Sequence, residues 1–336
     1  MPNSLTNLAK LAPRALKLID IGARSGVQAP WTSLREFVNF IAFEPDQEEY
    51  QALQATKRPG DLIFNTALAE SVGKRELRLT ASRGCSSLYE PNCEFLNQFP
   101  DFSRFDVEKS VPVVTECLDS LIADGRLDGF DFVKIDVQGA ELDILKGGSK
   151  SLMDNTLGLE VEVEFQPMYK GQPLFADVDQ FVRSKLGLEL QDLRKAYWKY
   201  SEGRGVGGTK GKLIFGDALY LRAPDALVAQ CAKLPQSHAA EKFQLALLVG
   251  VAYGCIDYSL RILAQTEVQK LLGQEVESSW RSAIMAHGRS IHFGGRFTRP
   301  LAYLFEMLYR SVQPMHEGWA SSGQPLGHRK RFGVFL

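Results

Sequence analysis

Lys134 and Asp136 sit in an otherwise apolar run, residues 132–137, which breaks at Gly139 into the helical spacing of Glu141, Leu142, Leu145 and Lys146. Ionisable groups in a buried strand cost free energy unless they are paired or put to use. In open α/β sheets ligands bind where strands end and helices begin. Asp136 therefore stands where a side chain could accept a proton from a substrate. A second strand-to-glycine turn, Asp20-Ile-Gly-Ala-Arg-Ser-Gly26, lies well upstream. Gly22 and Gly26 allow a backbone to approach a ligand closely. Arg24 departs from the GxGxxG pattern of pyrophosphate cradles, which favours a ligand without phosphates. Glu44 ends the next apolar run at the spacing where an acidic residue accepts both hydroxyls of a ribose. Asn65, at the end of a third run, is of a type that can bond an adenine, and is equally at home in a turn.

Glu160, Glu162 and Glu164 alternate with Leu159, Val161 and Val163, so period two puts the glutamates on one face. A central strand is covered on both sides, so Glu162 and Glu164 are expected to reach a cleft at the strand end; an edge strand with one wet face is the alternative. Glu162 is a second candidate base beside Asp136. Asp136, Glu162 and Glu164 together form a possible hard-cation site, although no metal is expected. All five histidines fall within residues 226–336. A base within the sheet must then be a carboxylate, tyrosine or lysine, unless the tail folds over and lends a histidine.

The elements that would position these groups alternate. Strands are expected at residues 16–21, 39–43, 61–68, 111–114, 130–137, 157–165, 188–193 and 217–221, with an inserted hairpin near 76–80. Helices are expected at 31–37, 47–56, 116–124 with Thr115 as cap, 142–146 and 178–186. This order predicts an α/β, doubly wound, mainly parallel sheet. Alternation stops near Ala223-Pro224-Asp225, so the chain divides into residues 1–225 and a mostly helical appendage, residues 226–336, with helices at 239–272 and 300–312 and a glycine-rich basic loop at 287–299.

The 336 residues carry a net charge of −1, which argues against bulk nucleic-acid binding. The charge is uneven: residues 226–336 hold twelve Lys/Arg against seven Asp/Glu, leaving twenty-seven against thirty-three before them. A basic tail of this kind could meet an acidic partner, a membrane surface or its own acidic front part. Cys85, Cys93, Cys117, Cys231 and Cys255 show no CxxC spacing and read as reduced thiols. With no signal peptide evident and no apolar run long enough to span a bilayer, the cytoplasm is the expected location.

Three blocks taken in order resemble the FkbM family of S-adenosylmethionine-dependent methyltransferases: Leu18-Ile-Asp-Ile-Gly-Ala-Arg-Ser-Gly26, Ala42-Phe-Glu-Pro-Asp46 and Phe132-Val-Lys-Ile-Asp-Val-Gln-Gly-Ala-Glu-Leu-Asp-Ile-Leu-Lys-Gly147. The stretch Glu162-Val-Glu-Phe-Gln-Pro-Met-Tyr169 resembles that family's fifth strand and the loop after it. The similarity covers roughly residues 16–222. The family usually carries an acid where this chain has Gln138, and often asparagine where it has Arg24. The resemblance implies a class I, Rossmann-like methyltransferase fold of seven strands, the last antiparallel. It implies S-adenosylmethionine as cofactor and O-methylation of a sugar, glycan or secondary-metabolite hydroxyl. By position, Asp20, Gly22, Ala23 and Gly26 would line the methionine and ribose side, Glu44 would hold the ribose, and Asn65 with Ala67 would flank the adenine. Asp136 would face the sulfonium or the acceptor. Two rival readings are a nicotinamide-dependent oxidoreductase on a similar sheet and a non-catalytic binding protein that keeps the fold.

Overall fold

A computed structural model describes residues 4–206, 211–291, 299–312 and 321–322. Seven strands form the main sheet: β1 (Leu16–Ile21), β2 (Val38–Phe43), β3 (Leu62–Phe64), β4 (Phe132–Ile135), β5 (Gly158–Glu164), β6 (Leu188–Trp198) and β7 (Lys212–Arg222). Their spatial order is β3-β2-β1-β4-β5-β7-β6, and a two-residue strand, Ser321–Ser322, extends the β6 edge. β1 to β5 pair in parallel, while β7 runs antiparallel to both β5 and β6. The strand order reverses between β1 and β4. In open α/β sheets the binding crevice opens at such a switch point, beyond the carboxyl ends of the strands.

The expected third strand splits. β3 ends at Phe64, and Ala67–Leu68 leaves the main sheet to pair with Val107–Glu116, which also pairs with Gly73–Thr80. The inserted hairpin is thus a three-stranded sheet beside the mouth of the crevice. Its long strand shortens the helix that follows to Leu118–Ala123. Thr115 does not cap that helix, because its hydroxyl donates to the carbonyls of Ser71 and Gly73.

The central strands carry apolar side chains on both faces, and two buried clusters result. On one face Ile19, Ile41, Val133, Val161 and Tyr220 pack under the helices Leu118–Ala123, Glu141–Gly147, Ser149–Asn155 and Phe175–Phe181. On the other face the expected helix at residues 31–37 is a 3₁₀ run kinked at Leu34, too slight to cover the strands. Chain from beyond Pro224 fills that gap. The helix Gln236–Ala252 places Phe243, Leu247 and Tyr253 just after it against Leu18, Phe40, Phe132 and Leu219, with Ile256–Leu263 and Thr266–Ile291 packed behind. Trp31 touches Phe132 and Tyr253 at ring-centroid distances of 5.4 and 5.8 Å, and all three rings are buried. The Tyr253 hydroxyl donates to Glu160 at 2.6 Å. The division expected at residues 225/226 therefore falls inside a shared core, and the helices up to Ile291 form one of the two layers that cover the sheet.

Candidate active site

The turn after β1 and the turn after β4 are built against each other. Asp136 N–H donates to the Ile21 carbonyl at 3.0 Å, which carries the ladder past the strand ends. Gly22 has φ of +80°, and a Cβ there would lie 2.0 Å from the Asp136 carbonyl oxygen. Its N–H donates to the Phe43 carbonyl at 3.0 Å, so one glycine joins β1, β2 and β4 at their tips. On the β4 side, Gln138 and Gly139 take φ of +62° and +105°. Left-handed geometry at a non-glycine residue is uncommon and needs local support. Glu141 supplies it: its carboxylate accepts from the Val137 and Gly139 N–H groups, each at 2.9 Å. The spacing from Asp136 through Gly139 to Glu141 thus encodes a turn closed by its own glutamate, which leaves the tip of β4 bare.

A cavity of about 250 Å³ opens over these turns. Gly22, Glu44, Ala67 and Asp136, all singled out from the sequence, line it together with Phe43 and Gln138. Arg83, Ser86 and Ser87, from the loop after the inserted strand Gly73–Thr80, form its far wall. The other named residues lie elsewhere. Asp20 is buried beneath the wall, and Ala23 is buried in the core beside it. Gly26 lines a smaller neighbouring depression, with Arg35 and Asp61. Asn65 turns away from the cavity, donating its amide to the carbonyls of Glu44 (2.9 Å) and Pro45 (3.3 Å), so it holds the end of β2 in place. Glu162 and Glu164 are buried on β5 below the cavity. β5 is a covered central strand, not a wet edge.

Lys134 links the charges. Its Nζ lies 3.8 Å from Asp20 and 3.6 Å from Asp136. Burial alone would lower its pKa, but Asp20, Asp136, Glu160 and Asp217 more than offset this and keep it protonated. Asp136 is also penalised by burial. The Lys134 charge and hydrogen bonds from Gln138 and Glu162 outweigh that penalty and hold it below the usual carboxylate range. Glu162 goes the other way: burial and the neighbouring acids Asp136, Glu164 and Asp217 push it well above the ordinary value, toward its neutral form. The two candidate bases thus shift in opposite directions, Asp136 toward the ionised form and Glu162 toward the neutral one.

Gln138, which sequence reasoning noted only as a departure, completes the arrangement. Its amide nitrogen donates to Asp136 at 3.0 Å and also to Glu162. Its carbonyl accepts from the Tyr169 hydroxyl at 3.1 Å, and the Ser87 hydroxyl donates to its backbone oxygen at 2.7 Å. The amide lies between the two carboxyl groups that a shared cation would need, which removes Asp136 from the metal set read from the sequence. Among the described residues, the carboxylates close enough to share a cation are those of Glu141, Glu162 and Glu164. Burial raises all three pKa values, Glu141 to about 7 and the other two well above the ordinary range. Of the histidines, His238 is exposed and His287 is bonded to Ser4 at 2.8 Å, both away from the cavity. His292, His316 and His328 lie outside the described residues.

The buried acids predict a pH dependence of stability. Asp20, Glu44 and Glu141 are each pushed up to about 7, chiefly by burial. The folded protein therefore binds more protons than the unfolded chain between roughly pH 4 and pH 7. Their contribution is fully present below the unfolded-chain values and is lost as pH rises through 7. Between pH 6 and pH 8 the loss is on the order of 1 kcal/mol per group. Differential scanning calorimetry should find a lower unfolding midpoint at pH 8 than at pH 6; a flat or rising midpoint contradicts the assignment.

Residues 20–189 match the methyltransferase FkbM domain. The 2-O-methyltransferase NoeI of Sinorhizobium fredii (strain NBRC 101917 / NGR234) is 27% identical over 173 residues, covering 48% of this chain and 69% of NoeI. Among solved structures, the FkbM methyltransferase of Methylobacillus flagellatus KT aligns with 15% identity and a TM-score of 0.35, over 60% of this chain and 43% of that one. A TehB-like SAM-dependent methyltransferase of Corynebacterium glutamicum aligns with 13% identity and a TM-score of 0.28, over 66% and 88% of the two chains. That family match spans about half of the chain, and the chain belongs to the FkbM family of methyltransferases.

Proposed function

We propose that this enzyme is an S-adenosylmethionine-dependent O-methyltransferase acting on a hydroxyl of a sugar, a glycan or a secondary metabolite. The observation that carries the reading is the convergence of Gly22, Glu44, Ala67 and Asp136 on one cavity at the switch point of the sheet. The NoeI similarity supports oxygen as the methylated atom. The residues present fit the cofactor. Glu44 is a buried acid whose carboxylate accepts one bond, from the Asp46 N–H at 2.9 Å, and faces a cavity able to admit hydroxyl donors. Gly22 keeps its wall free of side chain, and Leu79 and Val137 with Ala67 offer apolar surface for a base. When bound, the cofactor supplies an electrophilic methyl group.

The chain's own residues orient and deprotonate. Asp136, held toward its ionised form and about one third exposed, accepts the proton of the acceptor hydroxyl. Glu162, shifted toward its neutral form, and the Gln138 amide hold it in place, and Lys134 anchors it from behind. Neither Asp20 nor Glu162 touches the acceptor; both set the charge and position of Asp136. Metal is not required in this scheme.

The test is binding and transfer together. S-adenosylhomocysteine should bind in titration calorimetry. Glu44→Ala should weaken that binding about 10–100-fold, the loss of two hydrogen bonds. Labelled methyl from S-adenosylmethionine should pass to oxygen of a member of a panel of sugars and glycans, with EDTA making no difference. Unchanged affinity in Glu44→Ala overturns the ribose assignment, and NADH binding in place of S-adenosylhomocysteine overturns the cofactor.

A further inference from the structure

The helix Arg299–Val312 has its large apolar side chains in solvent. Leu301, Leu304, Phe305 and Leu308 are 45–60% exposed, and with helical spacing they form one continuous stripe. Tyr303, Met307 and Tyr309 are 49–71% exposed and widen that stripe on both sides. At about 100° per residue, apolar and aromatic positions cover roughly 240° of the helix circumference. Positions 299, 306 and 310 share the remaining arc, and two of these three are arginine.

Three occupants of this surface can be weighed. A protein groove takes a helix by anchors at i, i+3, i+4 and i+7, a stripe of about 100°, and would leave half of these side chains in water. A second copy would bring like charge against like charge. Residues 287–336 contain seven Lys/Arg and only two Asp/Glu, so pairing through this region sets two strongly basic segments together. A lipid interface meets both conditions. Its acyl boundary surrounds a wide apolar arc, its headgroup level suits tyrosines at the margins, and anionic headgroups complement the basic flanks. With fourteen residues the helix is too short to cross a bilayer, and no described helix is long and apolar enough to do so. It would lie in the interfacial plane.

We propose that Arg299–Val312 is an amphipathic anchor that binds the enzyme to the surface of a membrane rich in anionic lipid. The inference rests on this helix and its flanking charge alone, independently of the methyl-transfer reading. Flotation of the full chain with phosphatidylcholine vesicles, with and without about one third phosphatidylglycerol, tests it. Binding is expected to the anionic vesicles, to fall when salt is raised, and to be at least about tenfold weaker to neutral ones. Leu304→Glu with Leu308→Glu changes only exposed positions. It should abolish flotation while the unfolding midpoint and S-adenosylhomocysteine affinity stay as they are. No binding to anionic vesicles overturns the proposal. So does equal binding by the double variant, or light scattering that shows a dimer of the parent chain and a monomer of the variant without vesicle binding.

Discussion

Asp136→Asn is expected to lower the turnover number by about 10²–10⁴-fold at saturating cofactor, the usual contribution of a positioned base. The change keeps the side chain's shape and the oxygen that accepts from Gln138, so the turn after β4 should survive. It removes the ionised carboxylate that Lys134 stabilises at 3.6 Å. Glu162→Gln is the informative partner. Burial and its acid neighbours push Glu162 toward the neutral form, which donates to Asp136, and an amide nitrogen can donate in its place. Its turnover should fall less than about tenfold, a loss of positioning only. Steady-state kinetics on both variants, with S-adenosylhomocysteine affinity measured beside them, separates the roles. A large loss in Glu162→Gln with normal turnover in Asp136→Asn would reverse the assignment.

Gly22→Ala is expected to destabilise the fold by about 3 kcal/mol or more and to abolish cofactor binding. Two independent penalties meet there. A left-handed backbone costs a residue with a Cβ about 1–2 kcal/mol. The new methyl would also fall 2.0 Å from the Asp136 carbonyl oxygen, so the tips of β1 and β4 must part, a cost of about 1–3 kcal/mol by the usual measure of overpacking. That movement displaces the backbone N–H groups of Gly22 and Asp136, which hold β2 and β1, and so distorts the cavity floor. Thermal unfolding and titration with S-adenosylhomocysteine check both parts. A variant with normal midpoint and normal affinity would mean that the turn is not the hinge of the site. Gly26→Ala provides the contrast. Its added methyl meets only the Leu53 side chain, at 3.7 Å, so the backbone term alone remains, and the smaller loss should be in stability.

The difference between these two glycines was not visible from the sequence, where both belong to one motif. Strand tips were legible because they depend on local pattern. Apolar runs ending in Asp20, Glu44 and Asp136, each followed by glycine or proline, mark β1, β2 and β4 with no tertiary information. Period two at Glu160, Glu162 and Glu164 likewise gave a common face. Which way that face looked was another matter. β5 is flanked by β4 and β7 and covered on both sides, so Tyr253 reaches Glu160 and Gln138 reaches Glu162. Asn65 shows the same limit. Its type suited either a base or a turn, and its amide bonds the carbonyls of Glu44 and Pro45 at the end of β2.

The amino-acid order by itself determined the alternation of strands and helices, the two glycine turns, the acids at the strand tips and the family, because each is written in neighbouring residues. Tertiary structure alone decided in which direction each acid is shifted. A carboxyl group's charge depends on what surrounds it, and Lys134, Gln138 and the acids beside Glu162 come together only when β4 and β5 pair. It also decided that the chain beyond Pro224 completes a layer of the core. The short 3₁₀ crossover between β1 and β2 leaves one face of the sheet bare, and nothing local in Phe243, Leu247 or Tyr253 records which surface they will cover.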